Sequence, residues 1–257
     1  VATQANVEAS YGPDALDLLA AGAGAEQALS ELLAKDPGSH GRQVAVVDAR
    51  GGVAAHTGER CMAYAGHATG EQVSCQANIM ASETVWPAML EAFESSSGPL
   101  AGRLMSALDA AQDAGGDIRG RQSAAILVVP AEGRAWETTI SLRVEDHPEP
   151  LDELHRLLRL NEAYEIAGHG DALTNEARYD EAAQMYGRAC ALAPDNHELM
   201  FWAGLGSAQS GDVDGGIALV RAAIALQPGW AELLPRLPAN VAPAAVLVAK
   251  RLGLQAP

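Results

Sequence analysis

A chain of 257 residues with a formal net charge of -16 and a pI near 4.7 can bury a substantial core, but it offers no excess of cations for a phosphate backbone or an anionic membrane. No apolar run approaches the roughly 20 residues of a spanning helix, and the opening Val-Ala-Thr-Gln-Ala-Asn lacks a basic region followed by a hydrophobic one. Cys61, Cys75 and Cys190 are an odd number without Cys-x-x-Cys spacing, which argues against a disulfide framework or a cysteine zinc site and points to a reducing cytoplasm.

Residues 1–7 read as the end of a strand already under way, which predicts that the natural protein begins earlier. Tyr11-Gly12-Pro13 is a turn, and Pro13 opens a helix over 14–21, where its missing N–H costs nothing. Leu29, Leu32 and Leu33 carry a second helix from Glu26 until Asp36-Pro37 stops it. Residues 43–48 and 53–57, joined by Ala49-Arg50-Gly51-Gly52, predict a β-hairpin, and 72–80 a further strand. Ser82 is placed to cap a helix with Val85, Met89 and Phe93 on one face, and the next helix has Leu100, Leu104, Leu108 and Ala111 as its buried stripe. Strands over 123–129 and 138–144 complete a sequence of two helices, strands, two helices and strands. That order implies an α+β domain of helical layers on stacked, mainly antiparallel sheets.

Beyond Pro150 only helices are expected, beginning with 151–160. Tyr179-Asp180-Glu181-Ala182 then aligns with Val213-Asp214-Gly215-Gly216, Ala189 with Ala223, Leu192 with Leu226 and Pro194 with Pro228, all at an offset of 34 residues. This pattern resembles the tetratricopeptide repeat over roughly 162–230, with Gly215-Gly216 as a weak helix start and 233–254 as a capping segment. It implies a concave face for a peptide or protein partner.

The densest polar chemistry lies in Gly115-Gly116-Asp117-Ile118-Arg119-Gly120-Arg121-Gln122-Ser123, between a helix and a strand expected to be buried. The string fits either a site or a Gly-Gly helix stop with an Asp/Arg turn clamp. The amides of Gln76 and Asn78, at a strand end, are suited to donating to an oxyanion or to tying down backbone. Thr57 stands similarly at a strand end. No His-x-x-x-His or His-Glu-x-x-His spacing supports a metal, His147 among acidic neighbours being the nearest approach. No nucleophile elbow and no nucleotide-binding glycine loop occurs, so no cofactor is expected.

Taken in order, Ala2-Thr3-Gln4-Ala5-Asn6 with Tyr11-Gly12, Arg42-Gln43-Val44 with Asp48, Thr57-Gly58, Gln76-Ala77-Asn78, Leu100-Ala101-Gly102-Arg103-Leu104, the Gly115 string and Arg143-Val144-Glu145-Asp146-His147-Pro148 resemble one bacterial family. It is the domain of unknown function 1028, classed with the N-terminal nucleophile (Ntn) hydrolases. The resemblance implies a four-layer αββα sandwich over 1–148, and the 34-residue repeat an all-α tetratricopeptide-like domain over 149–257. It implies amide or peptide hydrolysis in which a terminal Thr, Ser or Cys attacks and its own α-amine, with an unperturbed pKa of about 8, acts as base. On that basis Asn78 becomes the candidate oxyanion donor, Arg119 the anchor for a substrate carboxylate and Asp117 the group that orients Arg119 or the terminal amine. Gln4, Asn6, Thr57, Gln122 and Ser123 become binding residues. Two departures stand out: Ala77 replaces a usual glycine, and members carry a longer N-terminal stretch, whereas Val1 has no nucleophilic side chain. The alternative is a non-catalytic peptide- or protein-binding scaffold. A cytoplasmic location and a homo-oligomer complete the expectations.

Overall fold

A computed structural model describes residues 1–134 and 136–255; it is mixed α/β, and two compact units divide the chain, Val1–Leu154 and His155–Pro257. In the first unit β1 (Ala2–Ala5), β2 (Arg42–Val47) and β3 (Val53–Thr57) form an antiparallel sheet in the order β1-β2-β3. Strand alternation sends Val44 and Val46 to one face, where they are buried with Ala15 of α1 (Tyr11–Ala20) and with Leu29 and Leu32 of α2 (Ala25–Lys35). α1 begins at Tyr11, ahead of the expected Asp14, because the buried Tyr11 donates its hydroxyl to Asp36 at 2.9 Å and so fixes the first turn. The β2–β3 turn closes on Asp48, whose carboxylate accepts from the backbone N–H groups of Ala25, Arg50 and Gly52. Those donors hold its pKa below the ordinary carboxylate value.

The expected strand over 72–80 is the shorter β5 (Val73–Ala77), and it pairs antiparallel with β4 (Gly66–Gly70), which the sequence pattern did not show. β4 carries almost no apolar side chain because a helix lies against its backbone. A Cβ at Gly66 would enter the indole of Trp86, and one at Gly70 would stand 3.0 Å from Leu90 Cδ1. That helix is α3 (Val85–Ser95), which with α4 (Leu100–Asp113) buries Phe93 and Ala107 against Val73 and Cys75. Thr84, not Ser82, is the residue before α3; Ser82 Oγ instead accepts from Thr84 N at 3.1 Å, making a turn ahead of the helix. The expected stripe of α4 is also displaced. Ala101, Met105 and Ala107 are the buried residues, while Leu100 is 49% exposed at the helix start.

β6 (Ala124–Val128) and β7 (Ile140–Val144) form a two-stranded antiparallel hairpin. The 123–129 run is not wholly buried: Ile126 is inside, but Leu127 is 63% exposed, because a two-stranded ribbon beside one helix has only one face to cover. α5 (Pro150–Asn175) continues well past the expected end at Leu160, and its first residues belong to the first unit.

In the second unit α6 (Tyr179–Leu192) and α8 (Val213–Leu226) alternate with α7 (His197–Gln209), followed by α9 (Gly229–Leu233), a 3-10 turn (Leu234–Arg236) and α10 (Ala245–Leu252). Asn196 caps α7 by accepting from Glu198 N and Leu199 N, and Asp212 caps α8 through Gly215 N at 3.0 Å. Gly216 is no weak point. α7 and α8 meet there backbone to backbone, since a Cβ on Gly204 would lie 2.7 Å from Gly216 O. Around this contact Phe201, Val220, Leu234 and Val248 are fully buried, with Phe201 stacked on Trp230 at 4.4 Å between centroids. Among the described residues no helix is long and apolar enough to cross a membrane.

Candidate functional site

Gln43 is fully buried, and among the described residues it is the one polar or charged side chain that is. The register sets Gln4, Gln43 and Thr57 opposite one another in a row across β1, β2 and β3, on the face away from α1 and α2. Gln43 Nε2 donates to Gly66 O and Ala77 O, both at 3.0 Å, and to Thr57 Oγ1 at 2.9 Å. Two carbonyls can only accept, so they fix which end of the amide is nitrogen. Oε1 therefore receives donors, from Gln4 Nε2 at 2.6 Å and Asn78 Nδ2 at 3.0 Å. One internal amide thus sets the positions of three of the candidate residues and joins the two sheets. Thr57 Oγ1 is also hydrogen-bonded to His67 Nδ1 at 2.9 Å. Burial, and then the neighbouring His56, lower the His67 pKa from its ordinary value, which favours the neutral ring.

Asp117 and Arg119 pair within the glycine-rich loop. Arg119 Nε and Nη2 donate to the two carboxylate oxygens of Asp117 at 2.9 and 2.6 Å, and Arg119 N adds a bond to Oδ1 at 2.8 Å. The Arg119 fork is the main reason the Asp117 carboxyl titrates below its ordinary value. Gly116, at φ +61°, takes the loop into the left-handed region. The backbone then runs antiparallel to the segment after β5: Ala81 N donates to Gly116 O, Ile118 N to Ile79 O, and Met80 pairs with Asp117. The result is a cleft of about 710 Å³ whose walls include Gln4, Asn78, Asp117, Arg119, Gln122 and Ser123, with Met89 and Leu108 as apolar lining. Leu108 and Ala111, expected in the core, face this cleft.

Residues 1–154 match the model of a family of unknown function (DUF1028). The chain belongs to that family. The crystal structure of protein SPO2555 from Silicibacter pomeroyi, which carries the same family model, resembles this DUF1028 member with a TM-score of 0.53 at 29% identity, covering 62% of this chain and 69% of that one. No curated protein matches it.

In this DUF1028 chain Asn6 and Thr57 stand apart from the other candidates. Asn6 lines an adjoining cavity of about 340 Å³ with Arg60, Cys61 and Met62; Asn78 and Arg119 are common to both spaces. Thr57 reaches the cleft residues only through Gln43. The Cys61 thiol is pushed up by burial and donates to Arg42 O at 3.4 Å, so it is poorly placed to act as a thiolate. His147 serves the backbone: its Nδ1 accepts from Glu149 N and its own N–H donates to Gln122 O, while Arg121 pairs with Glu149. Among the described residues no three His, Cys, Asp or Glu side chains gather as a ligand set. Gln43 and Arg60 are the two residues that sequence reasoning passed over. The signal for Gln43 was a lone amide inside a β-branched run, where a polar side chain must find partners; Arg60 gave none.

Proposed function

We propose that the first unit binds a small amide or peptide in the cleft and hydrolyses it by Ntn-type chemistry. The observation that carries this reading is the Asn78 amide, fixed by buried Gln43 at the cleft wall. A donor whose orientation is set before the ligand arrives stabilises developing negative charge without reorganising. Asp117 orients Arg119, whose Nη1 is left for an anionic group of the ligand. The packing of α1 and α2 on β1-β2-β3, and of β4-β5 under α3 and α4, supports reading these layers as an αββα sandwich over 1–148. The 34-residue offset between α6 and α8 supports a tetratricopeptide-like domain over 149–257 that holds a protein or peptide partner. A cytoplasmic homo-oligomer without a cofactor is part of the same proposal.

Superfamily chemistry requires a terminal Thr, Ser or Cys. In a second reading the same cleft binds without cleaving, since the fixed Asn78 amide and the Asp117–Arg119 pair serve binding whether or not a bond is broken. The two separate in one experiment: incubate the full chain with a panel of small amides and dipeptides and follow products by mass spectrometry, with binding measured in parallel. Hydrolysis that falls about 100-fold or more in Asn78→Ala supports the hydrolase, in line with the loss of one oxyanion donor. Binding without product in both proteins supports the scaffold.

A further inference from the structure

The cavity of about 340 Å³ beside the cleft is lined by two guanidinium groups, Arg60 and Arg119, and two amides, Asn6 and Asn78, with no carboxylate in its wall. In a chain with 33 acidic and 17 basic residues a cation-lined pocket runs against the composition. The two arginines are in different states. Arg119 has given Nε and Nη2 to Asp117. Arg60 makes one side-chain bond, between Nη1 and His40 Nε2 at 2.8 Å, and among the described residues it has no carboxylate partner. Its backbone is held in place, since Arg60 N donates to His40 O at 2.8 Å and Cys61 N to Gly58 O at 3.0 Å. Gly58 permits this approach; a Cβ there would run into the carbonyl of His40. The nearby Arg42 is not equivalent, because Asp36 and Glu8 already neutralise it.

We infer that Arg60 is a carboxylate-binding residue, and that the ligand of this protein is an amide carrying a free carboxylate, such as an N-acylated amino acid or short peptide. The inference rests on the amide cleft proposed above and names its ligand class. The amide lies at Asn78 in the larger space, and the carboxylate enters the smaller one, where the open Nε and Nη2 edge of Arg60 receives it as a fork and Arg119 Nη1 adds a single bond. Asn78 and Arg119, common to both spaces, stand where the two parts of such a ligand join.

The test is titration of the full chain with N-acetylalanine and its carboxamide, N-acetylalaninamide, and separately with acetate and inorganic phosphate. The wild type is expected to favour the carboxylate over the carboxamide by about tenfold or more, the size of a charge-assisted hydrogen-bond contribution. Arg60→Gln should lose that preference while binding the carboxamide as the wild type does, which also shows that the variant is folded. Arg60→Lys should fall between the two. Equal affinity of the wild type for acid and carboxamide would overturn the carboxylate site and leave the amide cleft standing. Acetate binding that disappears in Arg60→Gln, with neither acetylated compound bound, would keep the carboxylate site and remove the amide reading. Phosphate bound more tightly than acetate with the same dependence on Arg60 would overturn the carboxylate assignment, and no binding of any probe would overturn both.

Discussion

Replacing Gln43 by Leu keeps the volume of the side chain and removes every polar contact it makes. Two backbone carbonyls, Gly66 O and Ala77 O, lose the Gln43 amide as a donor, and Gln4 and Asn78 lose it as an acceptor. An unsatisfied buried polar group costs about 1–3 kcal/mol, and the Gln4 and Asn78 amides border a cleft where water can reach them, so the two carbonyls set the scale. With about 1 kcal/mol returned by the more apolar side chain, the expected loss is about 3 kcal/mol, roughly a hundredfold in the opening equilibrium. Hydrogen exchange read by mass spectrometry on the full chain localises this effect. Protection of peptides covering β2 and β5 should fall about a hundredfold, while peptides from α7 and α8 act as an internal reference. Gln43→Glu provides the complement: its carboxylate would face the same two carbonyls, so that variant should be more stable near pH 4 than near pH 7. Unchanged protection in β2 and β5 of Gln43→Leu would refute the idea that this amide joins the two sheets.

Three further outcomes are expected. Asp36, held at about 2 by Arg42 above all, stabilises the fold above its ordinary value of 3.8 and loses that contribution as pH falls from about 4 to about 2; Tyr11, raised to about 12 mainly by burial, contributes below pH 10 and loses its contribution as pH rises from 10 to about 12. Thermal melts of the wild type and Tyr11→Phe across both ranges check this, since Tyr11→Phe should lack the alkaline loss. Gly204→Ala should destabilise the second unit by about 1–3 kcal/mol, because the α7–α8 backbone contact has no room for a methyl group, and denaturant unfolding followed by Trp202 and Trp230 fluorescence would detect it. Asn196→Ala should cost about 1 kcal/mol through loss of the α7 cap, read as faster exchange of the Glu198 and Leu199 amides with little change in α8.

The helices were legible because their apolar residues repeat at helical spacing and their ends carry Pro, Gly or capping side chains. Leu29 and Leu32 fall where expected, and the ends of α6 and α8 keep the offset of the sequence repeat. β4 was not legible, since its fit depends on Trp86 and Leu90 from a later helix and not on its own side chains. The buried face of α4 was misjudged for a related reason: half of its apolar stripe faces a cleft, and a periodic pattern does not distinguish a core from a lined cavity. Asn78, Asp117 and Arg119 could be picked out from residue type and loop position. What sequence order could not provide was Gln43, whose partners lie 14 to 39 residues away in the chain.

The backbone bonds between residues 79–81 and 116–118 have a consequence for how any ligand enters. A glycine-rich loop left to itself would be free to swing over the cleft like a lid, but here the loop is fastened to the segment after β5 that follows Asn78, and 79–80 are fastened in turn to Met62 and Tyr64. These three stretches are joined to one another through their backbones. If the cleft binds as proposed, its shape is set before a ligand arrives, and a substitution at Gly116 would be transmitted to the segment that follows Asn78.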